Sequence, residues 1–305
     1  MTADQTTALA AGIVGGALRV GAPFLFVSLG ECITEKAGRI NLGLEGVLVL
    51  SAMASFGGAY LSGNVWLGVL VGMLAGAALA CLHGVLCSLP RVNDIATGIA
   101  LMLLGMGLAF YLGKPLIQPQ APQLAPIALG GWSSSPAIRA ALQVNPLVPL
   151  GVLLAVGLWW GFGNTRLGLL VRMAGDSADA ARALGYSVNT IRIAATAAGG
   201  LVAGLGGACL TLFYPGSWSE GVSSGQGLIA VALVIFARWS PLRCVGAALL
   251  FGGAGAIGPA LQSIGIGWGY HLFNIVPYVL TLVILVLSCK PGQLAAGAPG
   301  EFSAR

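Results

Sequence analysis

The sequence predicts an all-α polytopic membrane protein of about 8–10 transmembrane or broken helices, and three observations carry that prediction. Only 23 of 305 residues are charged (14 Lys+Arg, 9 Asp+Glu) and 57% are hydrophobic, for a mean hydropathy of +0.92. A soluble domain carries about 25% charge; at 8% this chain could not cover a water-facing surface. Apolar runs long enough to cross a bilayer, ~20 residues each, recur along the whole length. Finally, the basic residues segregate between alternate connections. A disordered or fibrous chain is excluded, since either needs polarity or a short strict repeat.

The apolar runs fall at 9–32, 44–62, 65–88, 95–113, 146–163, 191–213, 225–238, 244–263 and 271–289. If all nine cross, one side receives Lys36, Arg39, Arg91, Arg166, Arg172, Arg182, Arg192, Arg238, Arg243, Lys290 and Arg305. The other side receives Lys114 and Arg139. That bias makes the first side cytoplasmic, with the N-terminus outside. Met1 to Ala8 carries no Lys or Arg, unlike the basic start of a cleavable signal peptide.

Arg19 and Pro23 inside the first run predict a kinked helix whose guanidinium snorkels outward. The 225–238 run is short for a crossing and predicts a broken or re-entrant helix. Gly68, Gly72, Gly76, Ala80 and Gly84 recur every four residues and line one face of the third span. Gly199, Ala203 and Gly207 do the same later, and small faces let helix backbones approach closely in lipid. The charges form no dense patch despite a net +5, so nucleic acid is not an expected partner. The six cysteines lie in or beside apolar runs without metal-ligand spacing and read as small buried side chains. The segment from Lys114 to Asn145, rich in proline and holding Trp132, reads as a rigid outside loop, either inert or part of a docking face.

Eleven of the 23 charges fall in two short stretches. The first, Glu31 to Glu45, ends in INLGLEG at 40–46, where Asn41, Gly43 and Gly46 favour a break in regular helix. A carboxylate such as Glu45 at the mouth of a span is costly unless it meets water or a partner. Two readings stay open: an interfacial turn, or a discontinuous helix lining a solute path. The second stretch, residues 164–192, is a cytoplasmic connection that predicts a short helix of about 8 residues, ~12 Å long. Asp176 or Ser177 caps its start, Asp179 lies in its first turn and Gly185 stops it. Its small side chains suit insertion into a groove on another protein.

At these stretches the sequence resembles the membrane-spanning permease subunits of ABC importers, in the branch covering branched-chain amino acids, simple sugars and nucleosides. The resemblance rests on GECITEKAGRINLGLEGVLVL (30–50), AGDSADAARALGYSVNTIRI (174–193) and GLIAVALVIFARWSPL (227–242). Within that branch it looks most like nucleoside or simple-sugar permeases. The resemblance implies a single transmembrane permease domain over 1–305, with the 164–192 coupling loop within it, in a bacterial inner membrane. It implies a second, non-identical permease subunit, an ATP-binding subunit that binds ATP and Mg, and an extracytoplasmic solute-binding protein. The family's coupling pattern falls on Gly175, Asp176, Ala180, Ala181, Arg182, Leu184 and Gly185. Tyr186 departs from it, since aliphatic residues are more usual there. The family also commonly has more crossings, so a missing first helix accounts for an outside N-terminus.

The sequence agrees on one point: it contains no GxxxxGK[ST] phosphate loop, so the chain does not bind ATP by that route. Polar or aromatic residues near the helix breaks are the solute-path candidates: Asn41, Glu45, Trp218, Glu220, Gln226 and Asn274. The rival reading is an ion-coupled secondary transporter, which would need ionisable groups deep within spans. No catalytic constellation and no metal site is legible: His83 and His271 are far apart, and Asp94, Asp176 and Asp179 fall in connections. No ring-forming selectivity sequence suggests a channel.

Overall fold

The computed structural model describes residues 3–263, 275–288 and 297–303. Among the described residues, seven helices are long and apolar enough to cross a membrane. The first two, α1 (Ala3–Lys36) and α2 (Leu44–Ser62), are joined by a buried turn-and-extended connection. α3 (Val65–Leu86) starts where the Asn64 side chain accepts the Trp66 N–H at 2.9 Å. α4 (Asp94–Gly113) starts the same way, Asn93 accepting from Ile95 and Ala96. These caps satisfy amide groups that a helix start leaves open.

The loop that follows is less irregular than its prolines suggest. Strands β1 (Ile127–Ala128) and β2 (Gln143–Val144) pair antiparallel around the short helix α5 (Pro136–Ala141). The segment before them is stitched to the bundle by Leu124 N–H donating to the Leu212 carbonyl at 2.8 Å. α6 (Leu147–Asn164) then returns to the basic end of the bundle. Arg19 is half-buried, and its guanidinium reaches outward to donate to the Ala140 carbonyl of α5, in the outside loop. The open carbonyls near a helix C-terminus suit a cation.

The 164–192 connection holds two helices rather than one. α7 (Arg166–Asp176) is amphipathic, and α8 (Ala178–Ala183) follows it after one residue. Ser177, not Asp176, caps α8, its Oγ accepting the Ala180 N–H at 3.2 Å. α9 (Val188–Leu212) crosses back through the centre. α10 (Gln226–Phe236), α11 (Pro241–Ser263), α12 (Val276–Ser288) and the short α13 (Gly300–Ser303) complete the described chain.

α1, α2 and α9 form the inner layer. The predicted small faces meet there: Gly72 and Gly76 of α3 pack on α2 and α9, so that a Cβ at Gly76 would overlap the Gly200 carbonyl. Gly199 meets α1 at Gly30 in the same manner, and Gly207 meets α2 at Ala52. α9 is thus clamped on three sides by backbone-to-backbone contact, the packing that lipid favours where no hydrophobic force draws helices together. α3, α4 and α6 are the outer layer; they expose leucine, valine and isoleucine along their free faces, as a lipid-facing surface requires.

Candidate functional site

The chain breaks regular helix in two places, and the structure joins them. After α9 the backbone runs through residues 213–225 without regular helix before α10 begins. With 11 residues, α10 spans about 16 Å, half of a hydrocarbon layer about 30 Å thick, and its start packs on α2 next to Gly46, which meets the middle of α4 at Met102. There it has no side-chain cap of its own, its N-cap being Gly225 at φ 77°. Glu45, at the start of α2, supplies one from across the bundle. One carboxylate oxygen accepts the Ser223 hydroxyl and the Gly225 N–H, and the other accepts the Gly227 N–H at 2.7 Å. A carboxylate at a helix N-terminus satisfies open amides and opposes the positive end of the dipole. Gly227 is also required sterically, since a Cβ there would press on the Glu45 backbone at 2.6 Å.

The break before α2 is built on the same rule. Asn41 donates its N–H to Glu31 at 2.8 Å, and its side chain accepts the Gly43 N–H at 2.9 Å. Arg39 and Asp94 form a buried ion pair at 2.7 Å that ties this connection to the start of α4. On the other flank, Trp239 donates its indole N–H to Glu35, and its carbonyl accepts from Cys32. Trp239 lies with Arg238 in a turn at positive φ, which aims a large ring inward between α10 and α11.

This connection rests on the α7–α8 hairpin. A Cβ at Gly175 would overlap the Lys36 carbonyl, so only glycine lets the hairpin sit so close to the end of α1. Arg192, 5% exposed, fixes the contact: it donates to the Ala37 carbonyl at 3.0 Å and the Ala174 carbonyl at 2.8 Å. It also pairs with Glu301 of α13 at 3.4 Å. Glu301 in turn accepts the Ala178 N–H at the start of α8. The hairpin, the α1–α2 connection and the mid-bundle break therefore form one continuous polar and backbone-packed chain.

Residues 13–287 match the branched-chain amino acid transport system / permease component family. The chain belongs to this family. It is 36% identical over 262 residues to a putative glucose ABC transporter permease protein, TsgC13, of Haloferax volcanii, covering 84% of this chain and 80% of that one. It is 30% identical over 294 residues to the nucleoside ABC transporter permease protein NupC of Lactococcus lactis, covering 90% and 91%. With the guanosine ABC transporter permease protein NupQ of Bacillus subtilis it shares 28% over 300 residues, at 90% of each. The chain is a multi-pass membrane permease component, and its end rich in Lys and Arg is the one that the positive-inside rule assigns to the cytoplasm.

Within this permease the predicted coupling residues divide into two groups. Ala181 and Gly175 face inward; Ala181 is fully buried with Ala174, Ala178 and Val188. Asp176 accepts the Gly300 N–H at 3.4 Å. Ala180, Arg182, Leu184 and Gly185 are exposed, Leu184 at 67%. Arg182 pairs at 2.7 Å with Asp179. The outward surface is thus Asp179, Ala180, Arg182, Leu184 and Tyr186, and Ala181 holds the hairpin together from beneath.

The solute-path candidates divide too. Asn41 and Glu45 are held within the chain as described. Trp218 is 1% exposed and donates its indole N–H to the Gly113 carbonyl at 2.9 Å. Glu220 is exposed. Gln226, the first residue of α10, keeps a buried side-chain oxygen without a hydrogen-bond partner. Asn274 lies outside the described residues. Sequence reasoning gave Arg192 no role beyond its charge. Its only sequence signal was a basic residue just inside the 191–213 apolar run, which the cost of burying charge makes informative.

Proposed function

We propose that this permease is one of two transmembrane subunits of an ATP-driven importer for a small polar solute, a nucleoside or a simple sugar. The exposed α8 surface receives a cytoplasmic ATP-binding subunit, which holds ATP and Mg; an extracytoplasmic protein delivers the solute at the opposite end. The second permease subunit is non-identical. The observation that carries this reading is the rigid attachment of an exposed, shallow hairpin to the break that crosses the bundle. Movement of the hairpin is passed through Gly175 and Arg192 to the α1–α2 connection, and from there to Glu45 and the start of α10. The names of the relatives support the solute class, and the unpartnered Gln226 oxygen supports a site for neutral hydrogen bonds there.

A shift between two states needs a ligand that binds them differently, so transport depends on docking at α8. Leu184→Asp, on the exposed face, is expected to abolish solute-stimulated ATP hydrolysis and uptake in vesicles carrying all subunits. The amount of subunit in the membrane and its melting temperature in detergent should stay unchanged. Normal uptake by this variant would refute docking at α8. Concentrative uptake by vesicles holding this chain without an ATPase would instead establish the ion-coupled reading. Thermal shift of the solute-binding protein against nucleosides and sugars decides the solute.

A further inference from the structure

A cleft of about 430 Å³ opens at the cytoplasmic end, away from the hairpin's exposed face. Its walls come from the end of α1, the last turns of α6, the middle of α7 and the α10–α11 turn. They contribute Lys36, Arg172, Arg238 and Arg243, together with Trp159 and Phe162. Four cations share this one space, and among the described residues no acidic residue lines it.

The acidic groups at this end lie outside the cleft lining: Asp176 accepts the Gly300 N–H, and the others have partners of their own. At this end Asp94 pairs with Arg39, Asp179 with Arg182, and Glu301 with Arg192, while Glu35 is taken by the Trp239 indole. None of the four cleft cations has an ion pair among the described residues. The stretches outside the described residues contain no Asp or Glu by sequence. Arg172 Nε is buried and has no hydrogen-bond partner. Lys36 and Arg172 are half-buried and Arg238 and Arg243 exposed; four like charges facing one cleft repel one another and attract an anion between them.

We infer that this cleft binds the headgroup of an anionic phospholipid of the inner leaflet. Its outer wall is α6, the least buried of the seven spans, whose Trp159 is 53% exposed. Tryptophan prefers the headgroup level of a bilayer. Beside it the amphipathic α7 leaves Leu167 exposed, as a helix lying in the interface would. A ligand entering the cleft therefore comes from the membrane plane, and basic pockets between spans on the cytoplasmic side suit anionic headgroups. Arg172, Arg238 and Arg243 each offer a planar fork matched to phosphate oxygens, and Lys36 adds a point charge.

The test is native mass spectrometry of the purified full chain, released from detergent after incubation with phosphatidylglycerol or phosphatidylcholine. Phosphatidylglycerol should stay bound at least about tenfold more than phosphatidylcholine, and Arg172→Gln with Arg243→Gln should lower that retention by about tenfold. Arg172→Lys with Arg243→Lys should keep most of it, and Arg166→Gln, on the same helix but outside the cleft, all of it. Inorganic phosphate in excess should leave the lipid in place. Equal retention of the two lipids, or an unchanged double Gln variant, overturns the assignment. Displacement by phosphate would make the ligand a free anion, and displacement by a polyglutamate peptide would make it an acidic protein segment; either also overturns it.

Discussion

The mid-bundle break around Glu45 and the cytoplasmic hairpin around Ala181 are both short interruptions between spans, yet they are built to opposite rules. At the break, Glu45, Asn41 and Ser223 are all buried, and each of the three hydrogen-bonds within the chain. At the hairpin, Asp179, Ala180, Arg182 and Leu184 face outward, and the ion pair between Asp179 and Arg182 is itself exposed. Hydrocarbon offers no water to replace a lost hydrogen bond, so irregular backbone there must be satisfied from within. At the hairpin water can do this work, which leaves the surface free to exchange water for another protein. The first region is closed by necessity, and the second is open for use.

That contrast can be broken from either side. Glu45→Ala removes the acceptor for two backbone N–H groups and one hydroxyl, and each buried orphan costs about 1–3 kcal/mol. The expected loss is roughly 3 kcal/mol or more, read as a large drop in melting temperature in detergent and near-complete loss of uptake. Glu45→Gln keeps one acceptor oxygen and should lose less. A melting temperature equal to that of the parent would show that Glu45 does not hold α10. Arg192→Ala comes next. It frees the buried Ala37 and Ala174 carbonyls, for about 2–3 kcal/mol, and it should lower the coupling of ATP hydrolysis to uptake.

Gly175→Ala sharpens the comparison, since it adds one methyl group against the Lys36 carbonyl. Overpacking of this kind costs about 1–3 kcal/mol, and limited proteolysis between residues 164 and 192 should become faster. Preserved proteolytic resistance would mean that the hairpin is not seated through this glycine. The smallest effect belongs to Asp179→Ala. Its ion pair is exposed and worth at most about 1 kcal/mol, so the melting curve should barely move.

The sequence showed the membrane class, the small-residue helix faces and the breaks near Asn41 and Gly225. These follow from composition, spacing and the conformations that glycine and asparagine permit. It also placed Gly185 correctly as a helix stop, at φ 84°. It could not show that α7 precedes α8 as a separate helix, because a single capping serine divides them and Asp176 was an equal candidate. Arg19 illustrates the same limit: its partner, Ala140, is 121 residues away.

The sequence by itself determined that the chain lies in a bilayer, which end carries the positive charge and where helix gives way, since local composition and backbone preference decide all three. Only the tertiary structure decided what each polar residue is for. Glu45 reads as a costly charge until α10 is brought to it from 182 positions away. Ala181 reads as surface until Ala174 and Val188 cover it. In hydrocarbon a polar side chain is defined by its partner, and partners far apart in the chain meet only once the helices have packed.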